Sequence, residues 1–425
     1  MGMSKTPATL IIREWSRSTP EDAPLLRGLT LTGADRELLS DLQQRTSLRV
    51  EELRQGLLIE IGPHIGTLTL SGLHLVILPK LRLDTLMAMV AYAFNLSDLV
   101  WTDKPGAYVP AEHGFVDLLG LSLLKAVERI ARGGLLSCYQ NRQEELTSPR
   151  GRIDMQAAAS RPRRPVLRCD FHELTTDHRL NQVLAAGLRL AAQVVQSAGL
   201  RMDLLQAAER WFVDQQRLPL TAATLQSAHH ALDRRSRYYR TALSLVTLFF
   251  QGGRPGSHAP AGELSLAGFL LDMNRVFEHF LTRYLQEHTP PGLEVISQEV
   301  RTDVFAYLEN PAGWRRPTIR PDLVFRYHGQ TVAVGDAKYR NHQEQPPGTT
   351  ELYQLITYGL AYDMPTPREV LLFYPLGSGE TERPVKLLFA PGSATEKVQL
   401  RLVGVPIDDM LSGQPWWPML ARLGR

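Results

Sequence analysis

The stretch TIRPDLVFRYHGQTVAVGDAKY, residues 318–339, decides the fold of the half of the chain that contains it. Thr318 to Tyr327 and Thr331 to Tyr339 are two strand-like runs, and His328-Gly329-Gln330 between them reads as the turn of a β-hairpin. Side chains alternate across a strand, so Asp336 and Lys338 share one face and Ala337 takes the other. Asp322 opens the partner strand and reaches the same place if the pairing register allows. Val332-Ala333-Val334-Gly335 leads into Asp336 as a buried run, and a charge at the end of such a run needs a reason. One reason is a plain surface ion pair between Asp336 and Lys338. The other is a site, in which two carboxylates hold Mg2+ through hard oxygen ligands. Such an ion polarises a phosphate and acidifies water, while a lysine orients that water and steadies charge on the phosphorane. A bare Asp-x-Lys decides little, but a Pro-Asp fourteen residues earlier, at the head of the hairpin partner, favours the site.

Two helices are expected to flank the hairpin. The first runs from Gly268 to His288, with Phe269, Met273, Val276, Phe280 and Leu281 on a wide apolar face. Glu278 falls within that face. It either edges the buried stripe or adds a third acid to the metal site, and the second reading is adopted. The other helix covers Glu351 to Tyr362 and places Gln354 and Tyr358 side by side at i, i+4. Gln354 can bind a phosphate or the attacking water; Tyr358 is either packing or a contact.

Further out, the chain reads as α+β and multidomain. Residues 1–82 are β-rich, with short apolar runs punctuated by Gly56, Gly62-Pro63, Gly66 and Gly72, and one short helix near Ala34 to Gln44. Residues 83–250 are mainly helical. Helices are expected at Phe115 to Ala131, Asn181 to Ala198, Met202 to Asp214 and Ala222 to Phe250, interrupted by an Arg- and Pro-rich extended insertion at 137–172. The Gly- and Pro-rich run Gln251 to Gly262 marks a boundary, and 262–425 forms a third, α/β unit.

Composition narrows the classes. A chain of 425 residues exceeds one ordinary core. No apolar run is long enough for a membrane span, and the N-terminus has no secretory pattern. Cys138 and Cys169, in no CxxC pair, read as two free thiols of a cytoplasmic protein. The formal charge of +3 argues for nothing, but nine arginines against three acids between Arg129 and Arg168 make that segment basic. Arginine there suits phosphate, or else a solvated loop. His229-His230 diverge on a helix and are not read as a metal site. His172, His178 and Trp416-Trp417 are read as ordinary polar and packing residues, and Arg234, Arg235, Arg237 and Arg240 as a solvated helical face.

Taken in order, Glu278, Arg320-Pro321-Asp322, Asp336-Ala337-Lys338 and Gln354-x-x-x-Tyr358 resemble the motifs of the PD-(D/E)xK nuclease superfamily. The resemblance implies a mixed sheet between helices, with Mg2+ (or Mn2+ in its place) as the ion. It assigns catalysis to Asp322, Asp336, Lys338, Glu278 and Gln354, and metal ligation to Asp322, Asp336 and Glu278. The central acid here is Asp, which the pattern permits.

A second resemblance spans most of the chain. Leu78-Pro79-Lys80, Met87 to Asn95, Arg150-Gly151-Arg152-Ile153-Asp154 and Asp177 to Leu184 precede the nuclease motifs in an order similar to the McrC family. These are the nuclease subunits of McrBC modification-dependent restriction systems. The resemblance implies a McrB-type AAA+ GTPase hexamer as partner, its ring docked and its GTPase stimulated by the N-terminal half of this chain. Double-stranded, modified DNA would be the substrate, with Arg150, Arg152 and Tyr358 as contacts to DNA or partner. No lysine follows a glycine, so the chain has no Gly-x-x-x-x-Gly-Lys loop and no nucleotide site of its own is expected. Two rivals remain: a non-catalytic activator of the motor, and a stand-alone nuclease.

Overall fold

A computed structural model of the chain describes residues 8–96, 114–160, 166–213, 215–255, 266–377, 379–390 and 397–416. It is a mixed α+β structure with four sheets among these residues. Near the N-terminus, alternating apolar runs become strands because period-two burial gives each an apolar face. Leu73–Leu78 buries Leu73, Leu75 and Ile77 and leaves the residues between them half exposed. It pairs in parallel with Ala8–Arg13 and antiparallel with His64–Leu70. A smaller sheet of Arg17–Ser18, Gly56–Glu60 and Arg49–Leu53 shares a core with it, around Leu42, Ile59 and Leu75. The helix Gly33–Arg45 contributes Leu42 and starts where Thr32 and Asp35 cap each other.

The middle of the chain supplies the largest core, from the helices Phe115–Gly133, Arg179–Val194, Ala198–Phe212 and Arg240–Gly252. One expectation fails here. Ala222 to Phe250 is not one helix but two, Ala222–His230 and Arg240–Gly252. Asp233 stops the first by turning its carboxylate onto the backbone N–H groups of Arg235 and Ser236, at 2.9 and 2.8 Å. Arg234 and Arg235 therefore sit on an exposed turn instead of a helical face. The insertion is extended, as expected: Cys138–Leu146 pairs antiparallel with Leu167–Thr175, and Arg152–Ile153 joins as a third strand. Arg161, Arg163 and Arg164 lie outside the described residues. Within the Asp177 to Leu184 motif, Asn181 donates to the carbonyls of Leu136 and Thr176 and accepts from Tyr239 at 2.6 Å, so that residue braces the core.

A second correction concerns Gly268 to His288. The helix begins only at Met273, and Leu266–Asp272 is a strand, antiparallel to His64–Leu70 in the first sheet. An apolar run such as Phe269-Leu270-Leu271 satisfies either period. Pairing decided it, since Phe269 and Leu271 enter the large core while Leu270 enters the N-terminal one. A Cβ on Gly268 would lie 2.3 Å from the carbonyl oxygen of Thr67, so the two strands meet only because the side chain is missing. The expected boundary at 251–262 is therefore followed by a strand of the first sheet. Asp272 then caps the helix Met273–Glu287, accepting from the backbone of Asn274 at 2.9 Å.

That helix lies on one face of a six-stranded mixed sheet, and Thr349–Ala361 lies on the other. The strand order is Leu293–Ser297, Leu323–Tyr327, Gln330–Ala337, Arg368–Pro375, Val398–Val405, Val385–Phe389. The three strands 330–337, 368–375 and 398–405 run parallel. The central strands are buried on both faces, with Leu323, Phe325 and Phe373 on one side and Val324, Val334 and Leu372 on the other, while the edge strand Val385–Phe389 is exposed. No helix among the described residues is long and apolar enough to cross a membrane.

The first sheet also grips the second through Glu14. Its side chain is fully buried, and one oxygen accepts from the Lys80 backbone at 2.6 Å and from the Tyr339 hydroxyl at 3.1 Å. The other oxygen has no hydrogen-bond partner among the described residues. Burial outweighs those bonds and raises the carboxyl from 4.5 to about 7. Between these values the folded chain holds a proton that the unfolded chain has released. Stability from this group is thus greatest below pH 4.5 and is lost as pH rises towards 7. At about 1.4 kcal/mol per unit, the loss is about 3 kcal/mol. Glu14→Gln should flatten the fall in melting temperature across that window; an unchanged pH profile would show that Glu14 is not the group responsible.

Candidate active site at the end of the hairpin

The hairpin turns through two residues, His328 and Gly329, both at positive φ (49° and 83°), and Tyr327 pairs directly with Gln330. Continued without interruption, that register would set Asp322 opposite Gly335 and leave the two acids on opposite faces. It is interrupted. Arg326 faces Thr331 but Phe325 faces Ala333, so Val332 is an extra residue, a β-bulge. Beyond it Leu323 faces Gly335, and the next pair in line is Asp322 with Asp336, on one face. Gly335 fits because a Cβ there would meet the Phe373 ring at 2.8 Å and the Phe325 ring at 3.2 Å. The acids thus lie at the carboxyl ends of the parallel strands, where open α/β sheets leave a crevice.

Asp322 is held on both oxygens. Oδ2 accepts from the backbone of Ala337 at 2.9 Å, and Oδ1 from Nε2 of Gln298 at 2.8 Å. The same Gln298 nitrogen lies 2.6 Å from Oε1 of Glu278, which projects from the helix Met273–Glu287. Asp336 is only 2% exposed, and Nζ of Lys338, 29% exposed, lies 2.8 Å from its Oδ2. That contact has the distance of an ion pair but not the angles of a hydrogen bond, so the buried Oδ2 has no hydrogen-bond donor among the described residues. Lys338 is fixed by its own backbone, which donates to Phe373 at 2.9 Å, and by Tyr339, whose N–H meets Oδ1 of Asn274 at 3.0 Å.

The electrostatics follow from burial. Desolvation first, then the Asp322 charge, push the Asp336 carboxyl up, against the opposing pull of Lys338. Burial and Asp322 likewise raise Glu278 to about 7. Burial disfavours charge on Lys338, but Asp336 and Asp322 overcome it and hold the ammonium above its ordinary value.

The other sequence candidates divide. Gln354 and Tyr358 face the site from the helix Thr349–Ala361, but they are bonded to each other. Nε2 of Gln354 donates to the Tyr358 hydroxyl at 2.6 Å, which donates to the carbonyl of Arg320 at 3.2 Å. Arg150 and Arg152 belong to the extended insertion in the middle of the chain. Arg150 pairs with Glu173 at 3.3 Å and lies 4.3 Å over the Phe171 ring. Among residues read as ordinary, His178 caps a helix, His229 bonds Thr247 and Trp416 packs on Phe373; Trp417 lies outside the described residues. Cys138 and Cys169 are free thiols. The residue that sequence reading missed is Gln298, whose amide links Glu278 to Asp322 from a backbone at φ 52°. Nothing in its neighbourhood, Ser297-Gln298-Glu299, sets it apart.

Residues 59–375 match the family model described as the McrBC 5-methylcytosine restriction system component. No curated protein matches the chain. Among solved structures, the chain is similar to one in the refined half-complex from the tetradecameric assembly of Thermococcus gammatolerans McrB AAA+ hexamers with bound McrC. The TM-score is 0.60 and the identity 17%, over 96% of this chain and 99% of the other, a likeness of fold. The cryo-EM structure of the Thermococcus gammatolerans McrBC complex matches at TM-score 0.45 and 18% identity, over 65% of this chain and 87% of that one.

The residues fit a divalent cation between Asp322 and Asp336. The buried Oδ2 of Asp336 lacks a donor among the described residues, both oxygens of Asp322 keep a further lone pair, and the Asp322 charge that adds to burial in raising Asp336 is what a cation offsets. Glu278 is not brought in with them. No group of three or more His, Cys, Asp or Glu among the described residues is set to hold a metal, and Glu278 would join only if Gln298 turned aside. Because raised carboxyls must shed protons to bind a cation, Mg2+ affinity should tighten as pH rises from about 6 to about 8. Glu278→Gln should flatten the upper part of that rise. Calorimetric titration giving pH-independent binding would rule this arrangement out.

Proposed function

The chain belongs to the McrBC family of 5-methylcytosine restriction system components, and on that premise we propose that it is the Mg2+-dependent endonuclease subunit of such a system. It cuts modified DNA presented by a McrB-type AAA+ GTPase hexamer, which its N-terminal half docks and stimulates. The observation that carries the reading is the bulged hairpin, which puts Asp322 and Asp336 on one face with Lys338 against the second acid. Clustering like charges at the end of a buried strand costs stability, and such strain is characteristic of sites that do chemistry.

Asp322 and Asp336 would hold the ion, with Glu278 a third carboxylate once Gln298 releases it. When bound, Mg2+ supplies charge to the scissile phosphate and acidity to a water. Lys338 keeps its proton at the site's pH and donates hydrogen bonds to the attacking water or to a phosphorane oxygen. The Ala337 backbone fixes the direction of the Asp322 Oδ2 lone pairs and keeps doing so when Gln298 turns aside. Gln354 and Tyr358 buttress the Arg320 carbonyl, and Gln354 has a free carbonyl end with which to orient water. The sequence contains no Gly-x-x-x-x-Gly-Lys motif, which suits a subunit that depends on a motor.

Asp336→Ala and Lys338→Ala should each abolish DNA cutting, the lysine change by roughly 10²–10³-fold or more. Both should leave GTP turnover by the partner hexamer stimulated as before. Cutting at the wild-type rate by either variant would sink the nuclease assignment, and cutting without partner or nucleotide would favour a stand-alone enzyme.

A further inference from the structure

Between Glu299 and Ile319, past Gln298 and before the Arg320 carbonyl, the chain makes a long excursion that plays no part in the proposed chemistry. Its base is clamped. Arg301 and Ile319 exchange two backbone hydrogen bonds of 2.8 and 2.9 Å, and Ile319 is buried in the sheet's outer core. Arg301 also donates to the carbonyl of Ala361 at 2.8 Å and pairs with Asp303. The tip is built as well. Asn310 bonds Trp314 twice, accepting from its N–H and donating to its carbonyl, each at 2.8 Å, and Gly313 N–H reaches the carbonyl of Asn310 at 3.1 Å. The Tyr307 hydroxyl donates to the carbonyl of Arg315 at 3.3 Å and ties the two limbs together.

This ordered scaffold turns its apolar side chains to water. Trp314 is 69% exposed, Leu308 is 100% exposed, and Phe305 is exposed too. Arg315, Arg316 and Arg320 stand beside them, all exposed and making no ion pair among the described residues; Glu309 is the only acid from Val304 to Arg320. Apolar rings held in water gain nothing internally. Guanidinium groups beside flat apolar faces match a ligand with phosphates and bases. The excursion runs straight into the site, for the Arg320 carbonyl receives the Tyr358 hydroxyl and Asp322 lies two residues on.

We propose that residues 301–320 form a DNA-gripping loop beside the point of cutting, with Arg315, Arg316 and Arg320 on backbone phosphates and Trp314 wedged against a base. The nuclease reading supplies only the placement of DNA at Asp322, so the loop is tested without cleavage. The full-length chain is titrated, in EDTA, against a fluorescein-labelled DNA duplex with or without a single central mismatch, and anisotropy is recorded. Trp314→Ala should weaken binding about tenfold, and Trp314→Phe should restore most of it. The Arg315→Ala, Arg316→Ala double variant should lower the salt slope by about one per arginine. A mismatch lowers the cost of unstacking, so it should favour the wild-type chain more than Trp314→Ala. Unchanged affinity in both the tryptophan and arginine variants overturns the proposal. So does intact DNA binding with lost stimulation of the partner's GTP turnover, which would make the loop a protein-docking surface. A wild-type chain that binds through the loop yet never cuts would sink the nuclease assignment and leave the loop standing.

Discussion

The strand Leu266–Asp272 commits its hydrogen bonds to the N-terminal sheet, and its last residue caps a helix that lies on the other large sheet. No linker residue separates the two commitments. Met273 N–H even bonds the carbonyl of Pro63, at 2.8 Å, so the helix starts against the first sheet. Glu278, one turn on, therefore reports the position of the N-terminal half at the hairpin. Glu14 on Tyr339 makes a second tie, next to Lys338 in sequence. Packed interfaces of this kind switch between discrete arrangements instead of bending continuously. Were a partner to hold the N-terminal half, as proposed, these contacts would give it a physical route to the site.

The site itself works against the fold. Asp336 is buried with an unmatched oxygen, Glu278 and Asp322 share one amide between them, and only Lys338 brings positive charge among these groups. A buried carboxylate costs several kcal/mol unless paired and bonded. The six-stranded sheet offsets that cost with central strands buried on both faces, where Phe325 and Phe373 pack with Phe277 of the helix above them. Rigid surroundings are also what keep the lone pairs of Asp322 aimed in one direction.

Much of this was legible in residue order. Hairpin, insertion and most helices follow from apolar period, and the placement of Asp336 beside Lys338 from strand alternation. Helix limits were not legible where one run fitted two periods. Phe269-Leu270-Leu271 reads as helix until a strand with space for it is known. Ala222 to Phe250 reads as one helix until Asp233 is seen to cap backbone groups. Gln298 was invisible for a related reason, since its role rests on a backbone at positive φ and on two acids distant in sequence. The Trp314 loop was passed over because exposed aromatics carry no periodic signal.

By itself the sequence determined which groups are available: two acids and a lysine at the ends of two strands, and a basic insertion. Chemical identity and local period are properties of neighbours along the chain. What the tertiary structure decided is whether the two acids meet. A two-residue turn alone would have sent Asp322 and Asp336 to opposite faces, and the single extra residue at Val332 returns them to one. Register is a relation between strands, fixed by which side chains fit both buried faces at once. No reading of either strand alone contains it.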